Sequence, residues 1–521
     1  MVSHTQDDPN DQMVPHAHSD PGPPVALVPW LRDALIILTC AAACALYLAR
    51  SGQLGYPLDD AWIYQAYARN LAVRGEWAFL PGQPSTGSTS ILWTLLLAPG
   101  YGLPLDPRVW TLGVGVAALA AVALGVARLC EEGPSLLPLF AGLAVALEWH
   151  LVWAAVSGME TALFAALLVW FWVWLQRHDP AHSKRPVWNG LLTGAWGGVL
   201  MLTRPEGVLA LGVAGLYGLL ARPRLADRLR WGIGAGIGFV LFLGPFFAFN
   251  AAVSGTVWPN TFYAKQTEYA ALWGRPYLFR LVDQVWAGLV GAQLLLMPGV
   301  WRQVRAGGRS RWRSVDWAAL LPLGWMGLHW ALYAARLPVT YQHGRYAMPA
   351  IPVLLVVGIR GTAALARPRA RRTLVRIGSL AWLLAAATLL PAVLGVLGAP
   401  AYARDVAFIQ NEMVATAHWI DAHTSPGTVV AAHDIGALGY FAPRSLIDLA
   451  GLVSPEVIPF INSADGLANY IVSSGAEYLV VFPRWNLAYA DLVSRPAFEP
   501  VWSAAEQADY RSQTGLGPMT V

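Results

Sequence analysis

Charge is what this chain has least of. Only 13% of its 521 residues are charged, where a soluble globular domain carries about 25%. So little charge excludes an ordinary soluble enzyme, and a formal net charge of +4 gives no basic footprint for nucleic acid. Cysteine is almost missing as well: Cys40, Cys44 and Cys130 provide neither a disulfide framework nor zinc-finger spacing. Cys40 and Cys44 read as small packing residues on one helix face. The first 29 residues lack the basic start of a secretory leader, so residues 1–29 are expected to be a disordered cytoplasmic tail with His4, His16 and His18 solvated.

What fills the space is hydrocarbon. The chain is 56% hydrophobic with 25 tryptophans and a mean hydropathy of +0.45, the composition of a polytopic α-helical membrane protein. Apolar stretches fall near 30–49, 109–128, 134–156, 160–176, 187–203, 207–221, 231–253, 281–300, 316–336, 349–366 and 377–398. A twelfth, 89–103, is short and carries Pro99-Gly100. Short loops at 176–186, 222–230, 302–313 and 360–376 hold eighteen of the 35 lysines and arginines. By the positive-inside rule these loops face the cytoplasm. An inner N-terminus and an outer C-terminal region need an odd number of crossings, so about eleven spans are expected across 30–399, with 89–103 interfacial or re-entrant. Gly190, Gly194 and Gly198, and Gly234 and Gly238, recur at four-residue spacing and predict close helix packing.

The pattern changes near residue 400. Helix-like 405–422 precedes the apolar run 428–431, a glycine-rich turn, the run 445–447, a helical stretch at 468–474 and the run 478–482. Short apolar runs alternating with helices predict a small α/β domain over 400–521, placed outside the membrane. The segment 434–439 has two glycines but not the spacing of a dinucleotide fingerprint. His433-Asp434 reads as a turn.

Five polar motifs fall on the side opposite the arginine-rich loops. Asp59-Asp60 lies in the first outer loop, 50–88. Ser157–Thr161, with Glu160, and Thr203–Gly207, with Arg204 and Glu206, are short turns. Asn260, Tyr263 and Lys265 lie in 254–280, and His343, Arg345 and Tyr346 in 337–348. Adjacent carboxylates have no structural gain without a cation or a reacting group, so Asp59 and Asp60 are candidates for general base or divalent-metal ligand (Mg, Mn or Ca). Arg345, Lys265, Arg204 and His343 are candidates to hold a donor phosphate. Glu160, Glu206, Asn260, Tyr263, Tyr346 and Trp62 are expected to bind substrate or support those that do. Plainer readings stand beside these: Arg204 pairing with Glu206 at a helix end, Glu160 at a helix start, Lys265 snorkelling. Glu148 and His150, inside an apolar stretch, are costly unless paired.

Taken in order, these segments resemble the GT-C-fold glycosyltransferases. The likeness rests on Asp59-Asp60-Ala61-Trp62-Ile63, Tyr67-Ala68-Arg69-Asn70-Leu71, Gly87–Trp93, Ser157–Thr161, Arg204–Gly207, Pro259–Lys265, His343–Tyr346, Asp434–Tyr440 and Asp448–Gly451. It is similar to bacterial polyprenyl-phosphate-sugar transferases, including the mycobacterial terminal arabinofuranosyltransferases and the dolichyl-phosphate-mannose-dependent group. The resemblance implies a GT-C-like bundle in the cytoplasmic membrane. Its activity would be inverting transfer of a sugar from a polyprenyl phosphate donor to an extracytoplasmic glycan, lipid or protein acceptor. A first-loop aspartate would serve as base or metal ligand, which carries over to Asp59 and Asp60 without deciding between them. The family often has Tyr or Phe where Trp62 stands, and some members have Asp-Glu in place of Asp59-Asp60. The alternatives are a transporter or flippase, or a non-catalytic binding protein for lipid-linked sugars. An inverted repeat of the kind transporters carry is not apparent in the sequence.

Overall fold

Proline and glycine punctuate the helices. Proline opens Pro29–Ser51, Pro107–Leu129 and Pro186–Thr203, where its missing N–H costs nothing. Gly52 and Gly75 end their helices at φ 66° and 70°, a left-handed cap that glycine adopts without strain. The computed structural model describes residues 28–132, 136–309, 317–366, 373–504 and 517–521. The N-terminal tail, and parts of the loops 302–313 and 360–376, lie outside the described residues.

The protein is a mostly helical, multi-pass membrane protein. Among the described residues, five helices are long and apolar enough to cross a bilayer, or seven if each bent pair is one span, by length and composition. Every one of the eleven expected stretches coincides with a helix or a bent pair. Two are not straight. Leu137–Ala146 and Trp149–Val156 meet at 55°, where Glu148 accepts from the Leu151 N–H and from His150 Nδ1 at 2.7 Å. That pair caps the second helix, which explains two costly residues inside an apolar stretch. In 281–300, Tyr277–Ala287 and Ala292–Ala306 meet at 102°, so a single straight span there is corrected to two short helices. The glycine repeats bring Pro186–Thr203 and Leu225–Ser254 into backbone contact: a Cβ at Gly190 or Gly194 would strike the carbonyls of Trp231 or Ala235, and one at Gly234 that of Val187.

The expected boundary at 399/400 falls inside one helical run, Thr373–His423, about 75 Å long at 1.5 Å per residue. It leaves the bundle and supports the C-terminal unit. There, β3 (Val429–Ala432), β4 (Ser445–Asp448) and β5 (Tyr478–Val480) form a parallel sheet in the order β4-β3-β5, with Ala431 paired to Ile447 and Leu479. Helices Gly436–Phe441 and Ala464–Ser473 make the crossovers. A small hairpin, β1 (Ala78–Leu80) with β2 (Gln83–Pro84), follows the first-loop helix Asp60–Arg74.

Candidate active site

Asp59 and Asp60 sit where helix Asp60–Arg74 begins, and successive residues there point about 100° apart. Their carboxylates therefore separate. Asp59 accepts the backbone N–H groups of Gly436 (2.6 Å) and Ala437 (2.8 Å), capping a helix of the C-terminal unit. A Cβ at residue 436 would collide with Asp59, so the glycine is what admits this contact. Burial and the nearby Asp434 charge push the Asp59 carboxyl up to about 7, against the pull of the two amides. Asp60 turns the other way: its Oδ2 accepts from Arg345 Nη2 at 2.7 Å and lies 3.7 Å from Lys265 Nζ. Burial opposes ionisation of Asp60, but the two cations overcome it and hold its carboxyl well below the usual range.

The remaining polar residues of the first loop fasten it in place. Asn70 Nδ2 donates to the carbonyls of Ala78 and Phe79, Tyr67 meets Ser85 at 2.7 Å and receives the Gly87 N–H, and Arg69 donates to the Tyr440 carbonyl. The run Tyr67–Leu71 is thus a brace that holds Asp59 and Asp60 between the bundle and the C-terminal unit.

Two cavities flank Asp60. One, about 330 Å³, is mainly apolar and includes Tyr64, Trp258, Phe262 and Leu337. The other, about 500 Å³, lies between bundle and C-terminal unit and includes Asp59, His343, Asp405, His433 and Trp485. Asp60, Ile63, Lys265, Arg345 and Leu452 line both. Arg345 is only 3% exposed. Its Nη2 serves Asp60 and the Tyr346 hydroxyl (3.0 Å), while Nε and Nη1 find no hydrogen-bond partner in the protein among the described residues. A buried guanidinium with unmet donors is costly, and it is poised for an anion. Lys265 Nζ, 3.4 Å from the Tyr346 hydroxyl, stands beside it. Burial works against the Lys265 ammonium, yet the neighbouring tyrosine and Asp60 raise it above its ordinary value.

The surroundings of several sequence candidates favour other roles. Arg204 lines the apolar cavity but its donors are spent: Nε on Glu206 (2.5 Å), Nη1 on Glu160 (2.8 Å), Nη2 on Tyr333 (3.1 Å). It fits an ion cluster rather than a phosphate clamp, and Glu160 and Glu206 are its counterions. His343 faces the polar cavity, with Nε2 2.7 Å from Asp405, away from the apolar side. Trp62 is buried against Tyr56, Tyr440 and Phe441, and Tyr263 is 39% exposed and lines neither cavity. Asn260 is buried at the start of helix Asn260–Glu268 and also lines neither. Tyr346 sits in the clamp. As a metal pair Asp59 and Asp60 do not fit: one is filled by amides, the other by cations. The described residues contain no cluster of three or more metal-ligating side chains.

Sequence reasoning passed over His433 and Glu268. His433 Nε2 lies 3.2 Å from Glu268 and Nδ1 3.3 Å from Asp434. Burial disfavours its charge, but the two carboxylates raise its pKa well above the ordinary histidine value. Two signals were available. Glu268 is three residues after Lys265, on the same helix face. His433-Asp434 directly follows a parallel strand, at the end where α/β folds bind ligands.

No curated protein matches the sequence. Residues 403–517 match a family model described only as a domain of unknown function (DUF8728). Solved structures are more informative. The chain is similar to ArnT from Cupriavidus metallidurans bound to undecaprenyl phosphate, at 15% identity, 91% of this chain, 96% of that chain and a TM-score of 0.57. It is also similar to the arabinofuranosyltransferase AftD from Mycobacteria, at 18% identity and a TM-score of 0.51 over 91% of this chain, but spans only 38% of AftD. The oligosaccharyltransferase of Archaeoglobus fulgidus aligns at 11% identity and a TM-score of 0.51 over 87% of this chain and 70% of that one. The architecture is therefore the GT-C fold of membrane glycosyltransferases. Within that class the chain matches ArnT over nearly the whole length of both proteins.

Proposed function

We propose that the protein is an inverting glycosyltransferase that moves a sugar from a polyprenyl phosphate to an acceptor hydroxyl. The observation that carries this reading is Arg345: buried, bonded to Asp60, and with Nε and Nη1 unpartnered at the wall between the two cavities. A phosphate monoanion or dianion satisfies such donors, and Lys265 adds a second charge. The apolar cavity suits the first isoprene units of the donor, and the undecaprenyl phosphate bound by the fold neighbour ArnT is a ligand of that chemistry. The basic loops expected on the opposite side support an extracytoplasmic site at the cytoplasmic membrane.

Asp60 is the better base. It reaches both cavities, whereas both Asp59 oxygens accept amides and Asp59 lines only the polar one. In the free protein Asp60 is a weak base because Arg345 and Lys265 neutralise it. A donor phosphate draws those cations to itself and strengthens Asp60 when a sugar is in place. Asp60 then takes the acceptor O–H proton as that oxygen bonds to the anomeric carbon. The anomeric C–O bond to phosphate breaks from the far side, and polyprenyl phosphate leaves with its charge held by Arg345 and Lys265. In the free protein the amides on Asp59 and the cations on Asp60 leave no preformed metal site, so turnover in EDTA within about twofold of that in added Mg is expected. The test is loss of labelled sugar from a polyprenyl phosphate sugar by the reconstituted full chain. Retained turnover in Asp60→Asn overturns the assignment.

A further inference from the structure

We propose that the polar cavity is a sugar-reading acceptor subsite in which Gln342, Glu268 and Trp485 recognise a carbohydrate. This rests on the glycosyl-transfer reading above and narrows its acceptor to a glycan.

The backbone carries the first argument. Gln342 (φ 55°, ψ 48°) and His343 (φ 58°, ψ 27°) are the only non-glycine left-handed residues among those described, and Gly344 follows at φ 68°. Non-glycine residues are strained there and persist only where the surroundings hold them. The surroundings over-determine the conformation: Gly344 N–H bonds to the Thr340 carbonyl at 3.0 Å, and Asp405 holds His343 at 2.7 Å. The result is Gln342 against the polar cavity, with its side-chain oxygen lacking a partner. A strained turn that places an unpaired amide oxygen at a cavity wall is built for a donor that arrives with a ligand.

The sheet carries the second. The carboxyl ends of all three parallel strands open on this cavity: His433 and Asp434 after β3, Leu452 after β4, Phe482 and Trp485 after β5. That is where ligands bind in parallel α/β sheets. Opposite stands helix Asn260–Glu268, whose Glu268 is aligned by His433 and whose Lys265 belongs to the clamp. The site thus spans bundle and outer unit, with Asp60 at its floor.

The lining selects the class of occupant. Carboxylates, an amide and partly exposed Tyr269 and Trp485 match a sugar's mixture of hydroxyls and C–H faces. This cavity is the more polar of the two, although Ile409, Met413 and Phe482 also line it. A peptide backbone would seek an unpaired strand edge, but the strands present their ends here.

The experiment uses the full chain in nanodiscs, with undecaprenyl phosphate and a panel of pyranose and furanose methyl glycosides and disaccharides as probes. Saturation-transfer NMR reads saccharide binding, and displacement of a fluorescent lipid phosphate reads the donor side. We expect at least one saccharide to bind, and Gln342→Gly, Trp485→Ala and Glu268→Gln each to weaken it at least tenfold with undecaprenyl phosphate affinity within twofold. Glycine tolerates φ near 55°, so loss in Gln342→Gly is not loss of fold. In turnover the same variant should raise acceptor KM with kcat little changed. Binding of undecaprenyl phosphate without any saccharide, or saccharide affinity unchanged in all three variants, overturns the inference. Failure of undecaprenyl phosphate itself to bind removes the glycosyl-transfer reading beneath it.

Discussion

Two buried arginines, Arg204 and Arg345, share an aromatic neighbour and differ in what is left over. Both lie over the ring of Tyr346, at 5.4 and 4.9 Å, and both pair with carboxylates. Arg204 meets two glutamates and a tyrosine with all three nitrogens. Arg345 meets one aspartate and one tyrosine through a single nitrogen, and two nitrogens stay unpartnered. A saturated buried cation holds structure together. An unsaturated one at the junction of two cavities is prepared for a ligand. Residue type does not separate these roles; the count of satisfied donors does.

The comparison breaks most visibly at the base. Asp60→Asn should lower single-turnover sugar transfer by about 100- to 10,000-fold, the usual range for a general base, a loss measured on the folded fraction because the variant also removes the countercharge of buried Arg345. Arg204→Ala should instead strike the fold, costing about 3–5 kcal/mol because it leaves Glu160 and Glu206 buried and unpaired. Denaturant unfolding in detergent reads this, and the folded fraction should still bind undecaprenyl phosphate. Arg345→Ala should weaken undecaprenyl phosphate by about 10- to 150-fold, from the 1.5–3 kcal/mol of hydrogen bonds to a charged group. Equal effects of the two arginine variants on lipid affinity would erase the distinction.

A smaller effect concerns the neighbouring aspartate. Asp59 is raised from 3.8 to about 7 in the folded protein, so the native state keeps a proton that the unfolded chain has lost. Stability should therefore fall as pH rises from about 4 to about 7 and level off above, as far as this group is concerned. Asp448, pushed up to about 6 by burial, acts in the same direction. Asp59→Asn should flatten the slope in part, measured by thermal unfolding across that window. An unchanged slope would show that Asp59 is not buried against the Gly436–Phe441 helix.

Much of the architecture could be read from residue order. Apolar stretches with proline starts and glycine stops announce the helices, and the glycine repeats announce the backbone contact between Pro186–Thr203 and Leu225–Ser254. Three short apolar runs announce the parallel strands. Other features were hidden because they are relations between distant segments. The 102° break in 281–300 leaves hydropathy continuous, and Thr373–His423 runs through the compositional change at 400. Asp59 and Asp60 look alike in sequence, and only packing sends one to Gly436 and the other to Arg345. The same holds for Trp62, whose motif position suggested substrate but whose ring is enclosed by Tyr56, Tyr440 and Phe441.

The most direct measurement is a cryo-electron-microscopy map of the full chain in nanodiscs with undecaprenyl phosphate. The expected result is phosphate density within hydrogen-bonding distance of Arg345 Nε and Nη1, beside Lys265, with the isoprenoid running past Trp258 and Phe262. Phosphate seated on Arg204, or at the arginine-rich loops on the opposite face, would contradict the account.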